Sequence, residues 1–260
     1  MDDSFTTLMS DIRNPLGRLA GIVRSLALYR AIPFRTRRLA GLYSPFIAPG
    51  GLAFDLGAHA GSRVRAFRRL GARVVALEPQ PDFVRVLEAL HGDDAKVVIV
   101  PAAVGRASGE ATLLVATRTP TVTTLSPAWA EHVRADPSFR GVSWSPGARV
   151  PVTTLDALIA AHGRPDFVKL DVEGYEAEAL AGLSTALRAL SFEYLAAARE
   201  IALACVDRLA ALGAYEYNWS TGERHRLASR DWLEPEVMRI RLRALNAAGG
   251  SGDVYARLRA

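Results

Sequence analysis

The sequence predicts an α/β domain built on a doubly wound, mostly parallel sheet of about seven strands, preceded by a helical extension. Two observations carry this prediction. From residue 52 onward, short continuous apolar runs alternate with amphipathic stretches that stop on glycine, which is the rhythm of strands covered by helices on both faces. The chain has 260 residues, of which 50% are apolar, enough to bury one large core.

Residues 1–48 stand apart. Arg18, Arg24, Arg30, Arg35, Arg37 and Arg38 recur among Leu, Ile, Val and Tyr at helix-like intervals, a basic amphipathic helical extension. Packing one apolar face on the main domain is the plainer expectation. Peripheral contact with an anionic membrane surface, or cover for a substrate pocket, is the functional alternative.

Residues 49–260 form the main domain. "LAFDLG" reads as a strand, "SRVRAFRRLG" as a helix ending on Gly71, "ARVVALEP" as a strand, "PDFVRVLEALHG" as a helix ending on Gly92, and "KVVIVPAAVG" as a strand. The rhythm breaks near 106–165, an excursion of the kind that serves as a binding loop, a lid or a disordered insert. It resumes at "DFVKLDVEG", continues through "LRALSFEYL" and the helix around Cys205, and ends with the strand-like "AYEYNWS" and "GDVYARLR".

Composition narrows the function classes. Lys plus Arg number 32 against 27 acids, a net charge of +5 that describes a solvated basic surface rather than a nucleic-acid-binding tail. A single cysteine, Cys205, makes an internal disulfide or a thiolate zinc site unavailable, and its apolar helical setting marks it as core. The histidines at 59, 91, 132, 162 and 225 lack the H-x-x-x-H spacing of a transition-metal centre. No apolar run reaches the roughly 18 residues of a membrane span, and the first residues lack the order of a secretory signal, so the expected location is cytoplasmic.

The most informative turn is "FDLGAHAG". Glycines at 57 and 61 allow backbone amides to approach a ligand, and the following helix start adds partial positive charge. The dinucleotide fingerprint G-x-G-x-x-G is incomplete, because Ala58, His59 and Ala60 separate the two glycines. Glu78 follows Gly57 by 21 residues, near the separation of about 20 at which an acid meets ribose hydroxyls.

The ordered set "DLGAHAG", "ALEP", "AAVG", "TLDAL", "KLDVEGYEAEALAGL" and "SFE" resembles the FkbM family of S-adenosylmethionine-dependent methyltransferases, over roughly residues 50–195. The resemblance implies a Rossmann-like methyltransferase fold that binds S-adenosyl-L-methionine and methylates an oxygen on a sugar or other small natural product. By position it implies that Asp55, Gly57, Ala58 and Gly61 surround the methionine part of the cofactor. It also implies that Glu78 binds the ribose and that Ala103 and Val104 lie beside the adenine. His59 stands where many members carry Asn. An acid at Asp55 suits a cofactor bearing an ammonium and a sulfonium.

"DFVKLDVEGYEAE" places Asp171 and Glu173 at the carboxyl end of a strand, the edge at which open α/β sheets bind ligands. Asp171 is expected to face the cofactor and Glu173 the acceptor, with Glu193 a third carboxylate reaching the same edge. Methyl transfer to a hydroxyl needs alignment and a nearby base, so Asp171, Glu173 and Glu193 are the candidate catalytic residues. Capping of helix N-termini is their structural alternative. Such a cluster could also hold Mg²⁺, which the sequence does not support further. Lys169 reads as a paired charge. In "TPTVTTLS" and Trp129 an acceptor-binding loop and a polar surface loop compete, while Trp144, Trp219 and Trp232 read as packing.

The leading expectation is therefore a methyltransferase acting on a small-molecule or glycan acceptor. An NAD-dependent oxidoreductase is the first alternative, disfavoured by the incomplete fingerprint. A non-catalytic, ligand-sensing module on a membrane surface is the second.

Overall fold

The computed structural model describes residues 35–116, 119–246 and 250–259. Arg18, Arg24 and Arg30 lie outside the described residues, whereas Arg35, Arg37 and Arg38 fall in α1 (Arg35–Tyr43). This helix buries Leu39, Leu42 and Tyr43 and leaves Arg37 and Arg38 exposed, so its apolar face packs on the domain. Arg35 is itself buried and donates to Glu223 at 2.6 Å.

The main sheet has seven strands: β1 (Leu52–Leu56), β2 (Arg73–Leu77), β3 (Val97–Val100), β7 (Phe167–Leu170), β8 (Ala189–Leu195), β9 (Tyr215–Thr221) and β10 (Ser251–Leu258). Their order is β3-β2-β1-β7-β8-β10-β9. The pairings from β3 to β8 are parallel, and β10 runs antiparallel to both β8 and β9. The chain reverses direction of travel at β1, where it moves from building outward through β2 and β3 to building through β7. That is a topological switch point, the place where open α/β sheets bind ligands.

Side-chain alternation sends the strands' residues to two cores. On one face Phe54, Leu56, Val168 and Leu170 meet α5 (Leu155–His162), α6 (Glu176–Ala181), α7 (Arg199–Leu212) and α8 (Pro235–Arg243), and Cys205 packs there. On the other, Ala53, Ala76, Phe167 and Tyr255 meet α1, α2 (Ser62–Arg69) and α3 (Pro81–His91). Strands buried on both faces are nearly continuous in apolar residues for this reason. No helix among the described residues is long and apolar enough to cross a membrane.

Two expectations are corrected. "KVVIVPAAVG" is not one strand: Pro101 has no N–H for the ladder, the Ala102 amide turns back to Val100, and the chain leaves the main sheet for β4 (Ala103–Val104). The excursion that follows is largely ordered. β4, β5 (Gly109–Val115) and β6 (Ser145–Thr153) form a second sheet in the order β4-β6-β5, with α4 (Pro127–Val133) between the last two strands in sequence.

One buried charge joins the strand ends. Lys169 of β7 is fully buried, and its Nζ lies 2.8 Å from Asp253 Oδ1 and 3.1 Å from Asp171 Oδ2. Burial works against the ammonium, but Asp171 and Asp253 outweigh it and hold Lys169 charged. This contact links β7 to β10 across β8 by charge rather than by ladder bonds. Removing one partner of a buried ionic group costs about 3–5 kcal/mol. Lys169→Met is therefore expected to lose that much stability in urea denaturation at pH 7, and a loss below about 1 kcal/mol, the worth of an exposed pair, would contradict the assigned role.

Candidate active site

The turn after β1 requires glycine at one point above all. Gly57 has φ 84°, and a Cβ there would stand 1.9 Å from the carbonyl oxygen of Asp171, so only glycine lets the ends of β1 and β7 close on each other. The amides of Gly57 and Ala58 donate to the carbonyl of Leu77 at 2.9 and 3.0 Å. The amide of His59, itself left-handed at φ 48°, donates to Glu78 Oε2 at 2.8 Å. These three amides hold the end of β2, which corrects the expectation that the turn offers them to a ligand. Gly61 begins α2 at φ 75°, and a Cβ there would meet His91 and Leu87 of α3, so this glycine serves helix packing.

Above the turn lies a cleft that is open to solvent on one side. Gly57, Ala58, Glu78, Ala103, Val104, Asp171 and Glu173 all line it. Asp55 does not. It lies in register beside Lys169, buried beneath the floor, with its Oδ2 lacking a hydrogen-bond partner. Burial pushes its carboxyl up to about 6 against the pull of Arg63 and Lys169. Glu193 lines a small adjoining chamber with Trp129, Gly174 and Glu176. One carboxylate oxygen from each of Asp171, Glu173 and Glu193 nonetheless falls within 4.8 Å of the others, so the two spaces meet at these acids.

The acids are tuned in opposite directions. Burial alone would raise Asp171, but Lys169 and Arg63 hold its carboxyl below the usual value. Glu173 and Glu193 are pushed well above theirs, first by burial and then by neighbouring acids: Glu193 and Asp171 act on Glu173, and Asp171 and Glu176 on Glu193. Both retain some exposure, and solvent softens the effect. Glu176 is buried and accepts the Val172 amide at 2.9 Å, tying the acidic loop to the first residue of α6. Lys169 already supplies to Asp171 the positive charge that Mg²⁺ would bring.

Sequence reasoning missed Arg63 and Gln80, which also line the cleft. Arg63 stands among other arginines of "SRVRAFRR", and nothing in that pattern separates the one pointing toward Asp171, at 3.7 Å, from the solvated ones. Trp129, for which an acceptor-binding loop and a polar surface loop competed, is a packed side chain: it is buried, in edge contact with Phe139 and Trp144, and pressed on Gly174.

The residues present fit S-adenosyl-L-methionine. Glu78 takes one amide on each oxygen, from His59 at 2.8 Å and from Gln80 at 2.9 Å, and keeps a lone pair on each for the two hydroxyls of a ribose. Asp171 gives the cleft an ionised carboxylate suited to an ammonium and a sulfonium, and no free row of amides awaits a pyrophosphate. A seven-stranded sheet with β10 reversed, carrying this acid-lined cleft at its switch point, defines a Rossmann-like methyltransferase that depends on S-adenosyl-L-methionine.

The methyltransferase FkbM domain matches residues 55–207, and the chain belongs to this family. No curated protein matches the chain. Among solved structures it is similar to a TehB-like SAM-dependent methyltransferase from Corynebacterium glutamicum, at 10% identity and TM-score 0.46, over 91% of this chain and 94% of that one. It is also similar to Aeropyrum pernix fibrillarin, solved with natively bound S-adenosyl-L-methionine, at 10% identity and TM-score 0.44 over 81% and 68% of the two chains. A third is the precorrin-6y C5,15-methyltransferase of Geobacter metallireducens, at 11% identity and TM-score 0.40 over 86% and 87%.

Burial pushes the Glu78 carboxyl up from 4.5 to about 7, against the pull of the Gln80 and His59 amides. The folded, ligand-free protein therefore retains a proton that the unfolded chain releases near 4.5, and this group's contribution to stability falls as pH rises from about 4.5 to about 7. Thermal melts across that window should slope downward, less steeply in Glu78→Gln. Binding of S-adenosyl-L-homocysteine, followed by calorimetry, should strengthen with pH over the same window, because the ionised carboxylate accepts both hydroxyls. Affinity that stays flat in the wild type would rule out Glu78 as the ribose acceptor.

Proposed function

We propose that the protein transfers the methyl group of S-adenosyl-L-methionine to a hydroxyl oxygen of a small acceptor, sugar-containing or polyketide-like. The observation that carries this reading is the pair Glu173 and Glu193, two carboxyls raised well above their ordinary range at the meeting point of the cleft and its side chamber. Bound in the cleft, the cofactor supplies an electrophilic methyl carbon on a sulfonium.

A hydroxyl is a poor nucleophile until its proton is removed at or near the transition state, so a proton acceptor beside it is required. Asp171 is held ionised by Lys169 and Arg63 and is a weak base in consequence, which suits charge complementarity to the cofactor. Glu173 and Glu193 have the higher proton affinity and are the groups to take the acceptor's proton. Carboxylates only accept hydrogen bonds, so a hydroxyl-rich molecule satisfies several of them at once. Glu173 is held for this task in a left-handed conformation, φ 53°, with its carbonyl accepting Thr124 Oγ1 at 2.7 Å and Gly174 at φ 84° behind it. Such strain is retained where the surroundings fix it, and it orients the carboxyl without cost at the moment of reaction.

Glu173→Gln and Glu193→Gln are each expected to lower kcat on a polyol acceptor by about 10²–10⁴-fold, the usual worth of a general base, with S-adenosyl-L-homocysteine binding retained. In the wild type kcat should climb with pH above the ordinary carboxylate range as the pair gives up its proton, and chelation by EDTA should leave it unchanged. Full kcat in both variants would exclude these acids as the base, and loss under EDTA would assign the cluster to a cation instead.

A further inference from the structure

The segment Pro120–Leu125 crosses the cleft and is tied down on all sides. Gln80 Nε2 donates to the Pro120 carbonyl at 3.3 Å, and Trp144 Nε1 donates to that of Val122 at 2.8 Å. The Thr123 amide donates to the Pro120 carbonyl at 3.4 Å. Thr124 exchanges both backbone bonds with Leu114, at 2.8 and 3.0 Å, and its hydroxyl donates to Glu173 and accepts from the Ser126 amide at 2.9 Å. One polar group is left over: Thr123 Oγ1 is buried, without a hydrogen-bond partner, on a residue that lines the cleft.

The antiparallel bridge between Leu114 and Thr124 sets which way this side chain goes. Alternation places Leu113, Thr123 and Leu125 on one face and Leu114 and Thr124 on the other. Thr124 reaches the acidic loop at Glu173. The opposite face holds Leu113 and Leu125, which pack with Ala103 of β4. Thr123 therefore belongs to the apolar slot formed with Val104, Leu113 and Leu125, on the β4 side of Glu78. An apolar slot with a polar group in it, sharing one cleft with the Glu78 carboxyl, suits a nucleoside.

We propose that the Thr123 hydroxyl is the hydrogen-bonding contact to the adenosine end of the cofactor, so that the second sheet, through this segment, selects the nucleoside. The proposal rests on the S-adenosyl-L-methionine reading of the same cleft. It assigns the two adjacent threonines separate tasks: Thr124 positions Glu173, and Thr123 meets the ligand. A buried hydroxyl that finds its partner only in the ligand costs the ligand-free protein stability and returns it on binding.

The test compares wild type, Thr123→Val and Thr123→Ser by calorimetry with S-adenosyl-L-homocysteine and with adenosine, and by thermal melts without ligand. Thr123→Val keeps the shape and should weaken both ligands about 5- to 20-fold, the worth of one well-placed hydrogen bond. Its ligand-free melting temperature should equal or exceed that of the wild type, and Thr123→Ser should bind within about twofold. Unchanged affinity in Thr123→Val overturns the proposal, as does a weakening confined to S-adenosyl-L-homocysteine, which would place the hydroxyl at the amino-acid end. A lower melting temperature in Thr123→Val overturns it too, since the hydroxyl would then have a partner within the protein. Wild-type binding with an indifferent variant refutes the Thr123 assignment alone, whereas no wild-type binding refutes the cofactor reading and this assignment with it.

Discussion

The close approach of the β1 and β7 ends is the constraint on which the site depends. With no side chain at Gly57, the turn after β1 rests against the Asp171 carbonyl, and the Asp171 amide in turn donates to Leu56. This one contact sets the depth of the cleft. It draws the acidic loop 171–174 over the glycine turn, places Glu78 on the far side through the shared Leu77 carbonyl, and leaves Asp55 below the floor. The left-handed residues His59 and Glu173 flank it, one on each strand end. Histidine is among the non-glycine residues that tolerate this region.

Around that contact the charges are arranged in layers. A cationic layer of Lys169 and Arg63 lies under and beside Asp171, and a carboxylate layer lies above it. Lys169 neutralises the lowest acids, Asp171 and Asp253, and so permits Glu173 and Glu193 to gather nearby without every carboxyl being ionised. Asp171 is thereby kept charged while Glu173 and Glu193, within a few ångströms, are kept proton-hungry. Separation of this kind is how neighbouring carboxylates acquire different roles.

The second sheet supplies what the doubly wound core lacks. The core presents an edge, and an edge is open to water. β4 to β6 and the segment Pro120–Leu125 close one side of it, with Gln80 and Trp144 fastening the segment at its two carbonyls. Ordering that segment converts an exposed strand end into a lined cleft, and Trp129, packed with Phe139 and Trp144, braces the acidic loop at Gly174.

Much of this was legible in the residues themselves. Periodicity exposed the strands and helices, because strands buried on both faces are mostly apolar, as β1 and β7 are apart from Asp55 and Lys169. The spacing from Gly57 to Glu78 and the run "KLDVEGYE" marked the cleft acids, because ligand-binding residues cluster at strand ends whose order the chain preserves. What the residues alone could not supply was direction. Whether a turn amide faces a ligand or a neighbouring strand, whether Arg63 or another arginine of its helix meets Asp171, and whether Trp129 stacks or packs are decided by contacts between segments far apart in sequence. Local propensity has no access to those contacts. The sequence by itself determined the fold class, the family and the list of acids; the tertiary structure decided which acids line the cleft, which lies beneath it and which are driven to hold a proton, because burial and the distance between charges exist only once the chain is folded.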